Sequence, residues 1–412
     1  MNLFKNTMLF SFERLFRTTL GFLISIMLTK AYGIEVYGEY AYYFAIVNIL
    51  GVTFSLGLDD YFIKCAAEGH KLPKFLLHLR IKLSGIAFFL CCIILYRNQA
   101  KIDFWIIAFL SLTYIWNCFY LLLIVVDKAN KHKAIIFLIS IGLFFLCLKF
   151  FLLKFGFLLF ILITFFETLV TTFFLYVNVN NIFVSNKYQL SAIIKIVKLS
   201  FPIGLSSLSV MLFYRLDQMI VEHFLGVKIL GIYALSASMI LAAGYLQSAY
   251  VTSMYSAIGY AKNNGCISSV RVALTKAYRG SIFIGILVYI IYIIIGKISI
   301  KLIFPEISSQ LISILNVGML SVLFSGLAAI NSQYLFFYNY SNKRLWRTLI
   351  CLAFNICWNL ILIPIYGIEA AVWGYVCTQI IMGLLFNIFD KTTRELFFLQ
   401  MKSLIIFRVT DK

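Results

Sequence analysis

Several charged and amide side chains interrupt long apolar stretches of this 412-residue chain, and their spacing bounds what they could do. Arg14 and Arg17 stand one helical turn apart and share a face. A guanidinium fork suits bidentate contact with phosphate, so this pair could clamp an anionic ligand; snorkelling at a helix start accounts for it equally. Glu13 is spaced to pair with Arg17. Arg215 and Asp217 are two residues apart and cannot face one another, so each needs another partner. A salt bridge between helices is one use, and contact of Arg215 with a phosphate-bearing ligand is the other. Glu167 is the deepest acid, roughly 18 Å into its helix at 1.5 Å per residue. Desolvation favours its protonated form, so it could carry a coupling proton, unless Lys149 on the preceding helix pairs with it. Asn355 and Asn359, one turn apart, could bind sugar hydroxyls or bond across helices. Tyr114, Trp116, Tyr245, Tyr250 and Trp358 are deep enough to stack on sugar rings, although interface anchoring is the commoner use of such residues.

These residues are embedded in about a dozen apolar stretches, each long enough to cross a bilayer. The chain is 62% hydrophobic and only 12% charged. A water-soluble domain carries roughly twice that charge. Every second break between stretches is rich in cations: Lys64, Lys71, Lys74, Arg80 and Lys82 in the second, Lys128, Lys131 and Lys133 in the fourth, Lys187, Lys195 and Lys198 in the sixth. Lys262, Arg271, Lys276 and Arg279 fill the eighth, and Lys343, Arg344 and Arg347 the tenth. Basic residues beside a span are retained in the cytoplasm, so the pattern gives an even number of crossings with both termini inside. The net charge of +19 is then topogenic charge facing anionic lipid, and no nucleic-acid partner is expected. Glu13, Arg14 and Arg17 interrupt the first stretch, which reads as a span and not as a cleavable signal peptide. Nine scattered Cys and four His show no disulfide framework and no metal, haem or iron–sulfur spacing, so no metal or cofactor is expected.

The first six spans are expected at roughly Met8–Ala31, Tyr40–Phe62, Leu83–Tyr96, Ile102–Val126, Ala134–Leu153 and Phe155–Val177. The second six are expected at roughly Leu199–Val221, Leu230–Tyr255, Gly280–Phe304, Gln310–Phe337, Thr348–Tyr366 and Ala370–Phe389. Between the sets, isoleucines and valines interleave with Lys195 and Lys198 as in a short amphipathic helix on the membrane surface. The expected organisation is a bundle over 1–184, a linker over 185–198, and a second bundle with a cytoplasmic tail over 199–412. A local repeat supports duplication. Gly33-Ile34-Glu35-Val36-Tyr37-Gly38-Glu39-Tyr40-Ala41 follows the first span, and Gly226-Val227-Lys228-Ile229-Leu230-Gly231-Ile232-Tyr233-Ala234 follows the seventh. A weaker echo, Ala129-Asn130-Lys131 against Ser341-Asn342-Lys343, follows the fourth and tenth. Both halves begin on the same side. The fold class is therefore all-α and integral to the membrane, with about 12 helices in two six-helix bundles related by a pseudo-two-fold along the membrane normal.

With the Gly33–Ala41 and Gly226–Ala234 turns, further short motifs recur in order: Gly57-Leu58-Asp59, Phe201-Pro202, Asp217, Asn355, Asn359, Pro364, and Tyr366-Gly367-Ile368-Glu369-Ala370-Ala371. Over essentially its whole length the chain resembles the O-antigen flippases (Wzx type), in the polysaccharide branch of the multidrug/oligosaccharidyl-lipid/polysaccharide flippase superfamily. It departs from them in having Glu369 where Gly is usual and Lys64 where Arg is usual. The resemblance implies a transporter, not an enzyme. It would move an undecaprenyl-pyrophosphate-linked oligosaccharide from the cytoplasmic to the periplasmic leaflet of a bacterial inner membrane. Two bundles would rock about a cleft, driven by an ion gradient or the membrane potential. It also implies membrane lipids and the polymerase and chain-length regulator of the same pathway as partners. On that reading Arg14, Arg17, Arg215, Lys149, Asn355 and Asn359 hold pyrophosphate or glycan, while Glu13, Glu167 and Asp217 couple ions or pair structurally.

Two other readings stand beside it. A cation-coupled drug or metabolite exporter would share the fold. A membrane-embedded glycan polymerase or glycosyltransferase would need an acid site, for which Asp59-Asp60 is the one acidic pair. Replacing Arg14 and Arg17 together by Ala should abolish surface glycan export at unchanged protein level; normal export in that variant removes both from the mechanism.

Overall fold

The computed structural model describes residues 2–67, 72–113, 119, 131–179, 183–184, 190–263, 267–338 and 340–404. The side chains of Glu13, Arg14, Lys64, Lys131, Lys133, Lys195 and Lys262, and residues Lys71, Tyr114, Trp116, Lys128 to Asn130 and Lys187, lie outside the described set. Among the described residues nine helical segments are long and apolar enough to cross a membrane, and Ile102–Thr113 adds a shorter apolar one. In hydrocarbon each backbone N–H and C=O must be satisfied within the chain, and a helix does so within one segment.

The chain divides into two compact units, one of Met27–Met219 and one joining Met1–Ile26 to Ile220–Lys412. The elements begin with α1 (Asn2–Thr53), which is broken at Gly33, then α2 (Leu58–Ala67), α3 (Lys74–Arg97) and α4 (Ile102–Thr113). Next come α5 (Lys131–Leu152), α6 (Phe157–Val179) and α7 (Leu190–Leu225). A two-residue parallel bridge pairs β1 (Leu72–Pro73) with β2 (Phe183–Val184). Leu58, Phe62, Leu72, Leu76 and Phe183 close a core around it. The remaining helices are α8 (Val227–Asn263), α9 (Ile267–Ile291), α10 (Lys297–Ile303), α11 (Ser308–Gly318), α12 (Leu320–Phe337) and α13 (Ser341–Tyr366). They are followed by α14 (Ile368–Ile380), α15 (Phe386–Phe389) and α16 (Arg394–Leu404). Two π-helical turns, Tyr292–Gly296 and Ile381–Leu385, join α9 to α10 and α14 to α15.

Three expected boundaries are corrected. The second span ends at Thr53, short of Phe62, because Leu56 and Gly57 turn the chain at φ 49° and 72° before α2 begins. The third begins at Lys74, directly after Pro73, so Arg80 and Lys82 are helical and not loop cations. Arg271, Lys276 and Arg279 likewise lie within α9. Apolarity marks only the part of a helix that crosses lipid, whereas its hydrogen bonding runs on into water. The tail carries a further helix, α16. The 185–198 stretch, from Leu190 onward, is the start of α7, which runs unbroken to Leu225.

Gly33 and Gly226, the first glycines of the two repeat segments, have φ of 87° and 81°. Gly226 separates α7 from α8 as Gly33 breaks α1, so the repeated glycine performs the same backbone task twice. A tighter constraint holds Gly57. A Cβ there would lie 2.3 Å from the Ser200 carbonyl oxygen, and one on Gly204 would lie 2.6 Å from the Gly57 nitrogen. The turn before α2 and the backbone of α7 therefore touch directly. Gly57→Ala should lower stability by at least about 2 kcal/mol, combining a left-handed φ with a backbone clash. Gly226→Ala, with open space around its Cβ, should cost less. Thermal unfolding of detergent-purified protein ranks the two; equal losses would show that the contact at Gly57 contributes nothing.

Candidate functional site

Within the Met27–Met219 unit, the short connection between α5 and α6 sets the two helices side by side and brings Lys149 to Glu167. Lys149 Nζ lies 2.5 Å from Glu167 Oε2 and 5.5 Å from the centre of the Phe160 ring. The lysine side chain is 2% exposed and the glutamate 22%. Burial of an ammonium group is tolerable when a carboxylate and an aromatic face replace its water. The Tyr40 ring stacks on Phe44, with centres 5.6 Å apart, and its hydroxyl interacts electrostatically with both Glu167 and Arg215. Arg215 lies over Phe44 at 5.7 Å, and its Nη1 donates to Gln218 Oε1 at 3.4 Å. Among the described residues no carboxylate lies within ion-pair reach of Arg215. Asp217 is buried on another face, and its Oδ1 accepts the Gln218 backbone N–H at 2.7 Å. One cluster thus contains a neutralised acid and an uncompensated guanidinium.

Hydropathy hid a second charged group of this unit. Arg80, counted from the sequence as a loop cation, is buried in α3. Its Nε donates to Asp59 Oδ1 at 2.9 Å and its Nη2 to Asp59 Oδ2 at 3.3 Å, while Nη1 donates to Ser84 Oγ at 3.1 Å. The Gly57-Leu58-Asp59 motif is therefore structural at every position: a backbone contact, a fully buried leucine and half of a buried ion pair. Asp59 of the Asp59-Asp60 pair is held by Arg80, and the side chain of Asp60 lies outside the described residues.

The Met1–Ile26 and Ile220–Lys412 unit holds a polar network that spacing alone could not reveal. The π-turn at Ile381–Leu385 frees backbone carbonyls, and buried amides take them up. Asn331 Nδ2 and Gln400 Nε2 donate to the Gly383 carbonyl at 2.8 and 2.9 Å, and Tyr278 Oη donates to Asn331 Oδ1 at 2.7 Å. Arg347 donates to Asn387 Oδ1 at 3.1 Å, Thr393 Oγ1 at 2.6 Å and Asp390 Oδ2 at 3.1 Å. Lys343 Nζ reaches Asp390 Oδ1 at 3.1 Å. Burial would raise the Asp390 carboxyl, but the Thr392 hydroxyl and backbone N–H and the Lys343 ammonium outweigh it and hold the group down at about 2. A depressed carboxylate stabilises fully above its unfolded value of about 3.9 and loses that contribution as pH falls through about 2. This end of the bundle is therefore insensitive, through Asp390, to neutral-range pH.

The remaining sequence candidates are distributed through the same unit. Asn359 Nδ2 donates to Asn355 Oδ1 at 3.1 Å. Both are buried, and Asn355 Nδ2 and Asn359 Oδ1 have no hydrogen-bond partner among the described residues. Trp358 donates its indole N–H to the Ala370 carbonyl at 2.9 Å, and Tyr250 its hydroxyl to the Lys276 carbonyl at 2.9 Å. Tyr245 and Arg17 are half-buried.

No protein-family model and no curated protein sequence matches the chain. Solved structures do match. A multidrug resistance MATE family transporter of the MOP superfamily, in its inward-facing conformation, superposes with a TM-score of 0.64 at 14% identity, covering 97% of this chain and 96% of that one. An outward-facing conformation of such a transporter gives 0.60 at 14%, covering 98% and 97%. A MOP superfamily transporter from Pyrococcus furiosus, described by a reverse polarity of its binding pocket that suggests a different function, gives 0.61 at 14%, covering 98% and 97%. The fold is that of the MATE transporters. Twelve transmembrane helices in two bundles characterise it, as the apolar pattern and the repeat led us to expect, and the chain is a multi-pass membrane protein.

In this MATE fold the Lys149–Glu167 pair can be tested by removing its charges singly and together. Glu167→Gln should destabilise by roughly 3 kcal/mol or more by stranding a buried ammonium, and Lys149→Met combined with Glu167→Leu should recover much of that loss. The cycle is read by thermal unfolding. Glu167→Gln protein that retains activity across a range of pH rules out proton carriage at this position.

Proposed function

We propose that the chain flips an undecaprenyl-pyrophosphate-linked oligosaccharide, an O-antigen repeat unit, across a bacterial inner membrane by alternating access. The observation that carries this reading is Arg215, a permanently charged side chain within the seventh helix that no described carboxylate neutralises. A charge kept uncompensated amid apolar helices has a purpose when the cargo brings the opposite charge, and a pyrophosphate head does so. The order of motifs from Gly33 to Ala371 points the same way. Both termini lie in the cytoplasm on the positive-inside pattern, and the polymerase and chain-length regulator of the pathway would receive the product.

The multidrug neighbours support a second reading, a cation-coupled exporter of small molecules. Such an exporter needs a carboxylate free to take the coupling cation, and Lys149 already neutralises Glu167. That contrast favours the anionic cargo. The test is reconstitution in vesicles with a fluorescent polyprenyl-pyrophosphate oligosaccharide. Arg215→Ala should slow flipping at least about tenfold, the worth of one charge-assisted hydrogen bond, and Arg215→Lys should recover part of it. Flipping by the Ala variant at the wild-type rate removes Arg215, and wild-type protein that moves organic cations but not the lipid establishes the exporter.

A further inference from the structure

The cations of α9 are used unequally. Arg271 pairs with Glu395 of α16. Five and eight residues on, the side chains of Lys276 and Arg279 have no hydrogen bond or ion pair among the described residues, and the Arg279 Nε is buried without any acceptor there. Being three residues apart, they are neighbours on one helix surface. An arginine that merely snorkels keeps its guanidinium hydrated. A buried, unmet N–H on a group that cannot shed its charge needs an external acceptor.

The position says what that acceptor is. Residues 280–296 carry no charge, so Lys276 and Arg279 stand where α9 enters the apolar part of its span. That is the depth of lipid headgroups. The backbone there is braced from α8. Tyr250 Oη of α8 donates to the Lys276 carbonyl at 2.9 Å, and a Cβ on Gly280 would lie 2.1 Å from the Tyr250 Oη, so the two helices close on each other beside the cations. We propose that Lys276 and Arg279 form a binding site for a lipid-borne phosphate on the Ile220–Lys412 part of the chain. Arg279 supplies the fork, Lys276 a second charge, and Tyr250 the brace that holds their backbone. These residues belong to the other compact unit than Arg215, and the inference does not depend on the cargo being a lipid-linked sugar.

Native mass spectrometry of the detergent-purified full chain can test it with two probes, phosphatidylglycerol and undecaprenyl pyrophosphate. The Lys276→Gln/Arg279→Gln variant should bind at least one of them about tenfold or more weakly than wild type. Loss of phosphatidylglycerol alone identifies a membrane lipid as the occupant, loss of undecaprenyl pyrophosphate alone identifies a cargo headgroup, and loss of both a general phosphate site. Lys276→Gln alone, at an exposed position, provides the readout if the double variant does not fold, with a smaller loss in the same direction. Retention of both lipids at wild-type affinity overturns the proposal. So does a loss on Arg271→Gln equal to that on Lys276→Gln, since each variant removes one positive charge and Arg271 lies outside the site.

Discussion

A polar group surrounded by hydrocarbon has no water to bond with, and must find its partner in the protein or in a ligand. The distribution of polar residues in this chain follows from that constraint. Asp59 and Ser84 surround the buried Arg80 guanidinium, and Glu167 and the Phe160 ring surround Lys149. Carbonyls released by the π-turn at Ile381–Leu385 are met by Asn331 and Gln400, and Gln400 comes from the helix that follows the last span. This last described helix thus helps to complete the hydrogen bonding of the π-turn, whose Gly383 lies 17 residues before Gln400, and Gln400 also donates to Asn331 Oδ1 at 3.1 Å.

Against that background, cations without partners stand out. Among the described residues Arg215 has no carboxylate within reach, and the side chains of Lys276 and Arg279 have no hydrogen bond or ion pair. The paired and unpaired cations are alike in residue type and hydropathy. What separates them is whether a carboxylate on a neighbouring helix lies within reach, and that separation sorts structural charge from charge available to a ligand.

The duplicated architecture imposes a second constraint, on the backbone. Gly33 and Gly226 turn the chain between paired helices at left-handed φ, and Gly57 lets a turn lie against α7 without an intervening side chain. Short motifs spread across the sequence meet in space here: the Gly57 turn touches the stretch just after Phe201-Pro202, and its neighbouring Asp59 anchors α3. Their tolerance as motifs reflects their task, since a backbone contact asks only for a small residue.

Composition and charge alternation by themselves determined the membrane class, the helical architecture and the approximate number of crossings, because hydrocarbon thickness sets span length and admits helices for chains of this kind. The Gly–Tyr–Ala repeat was equally legible, since the same backbone turn demands glycine in each half. Helix ends at Lys74, Ile267 and Leu190 were not, because a helix continues past the lipid boundary without any change that hydropathy registers. The site was legible in residue type and not in pairing. Glu167 with Lys149 could be anticipated from adjacent helices, but Asp59 with Arg80, and the lack of any described carboxylate beside Arg215 or Arg279, arise only when separate helices pack. Whether an ion is compensated depends on distances across helices, and those exist only in the folded chain.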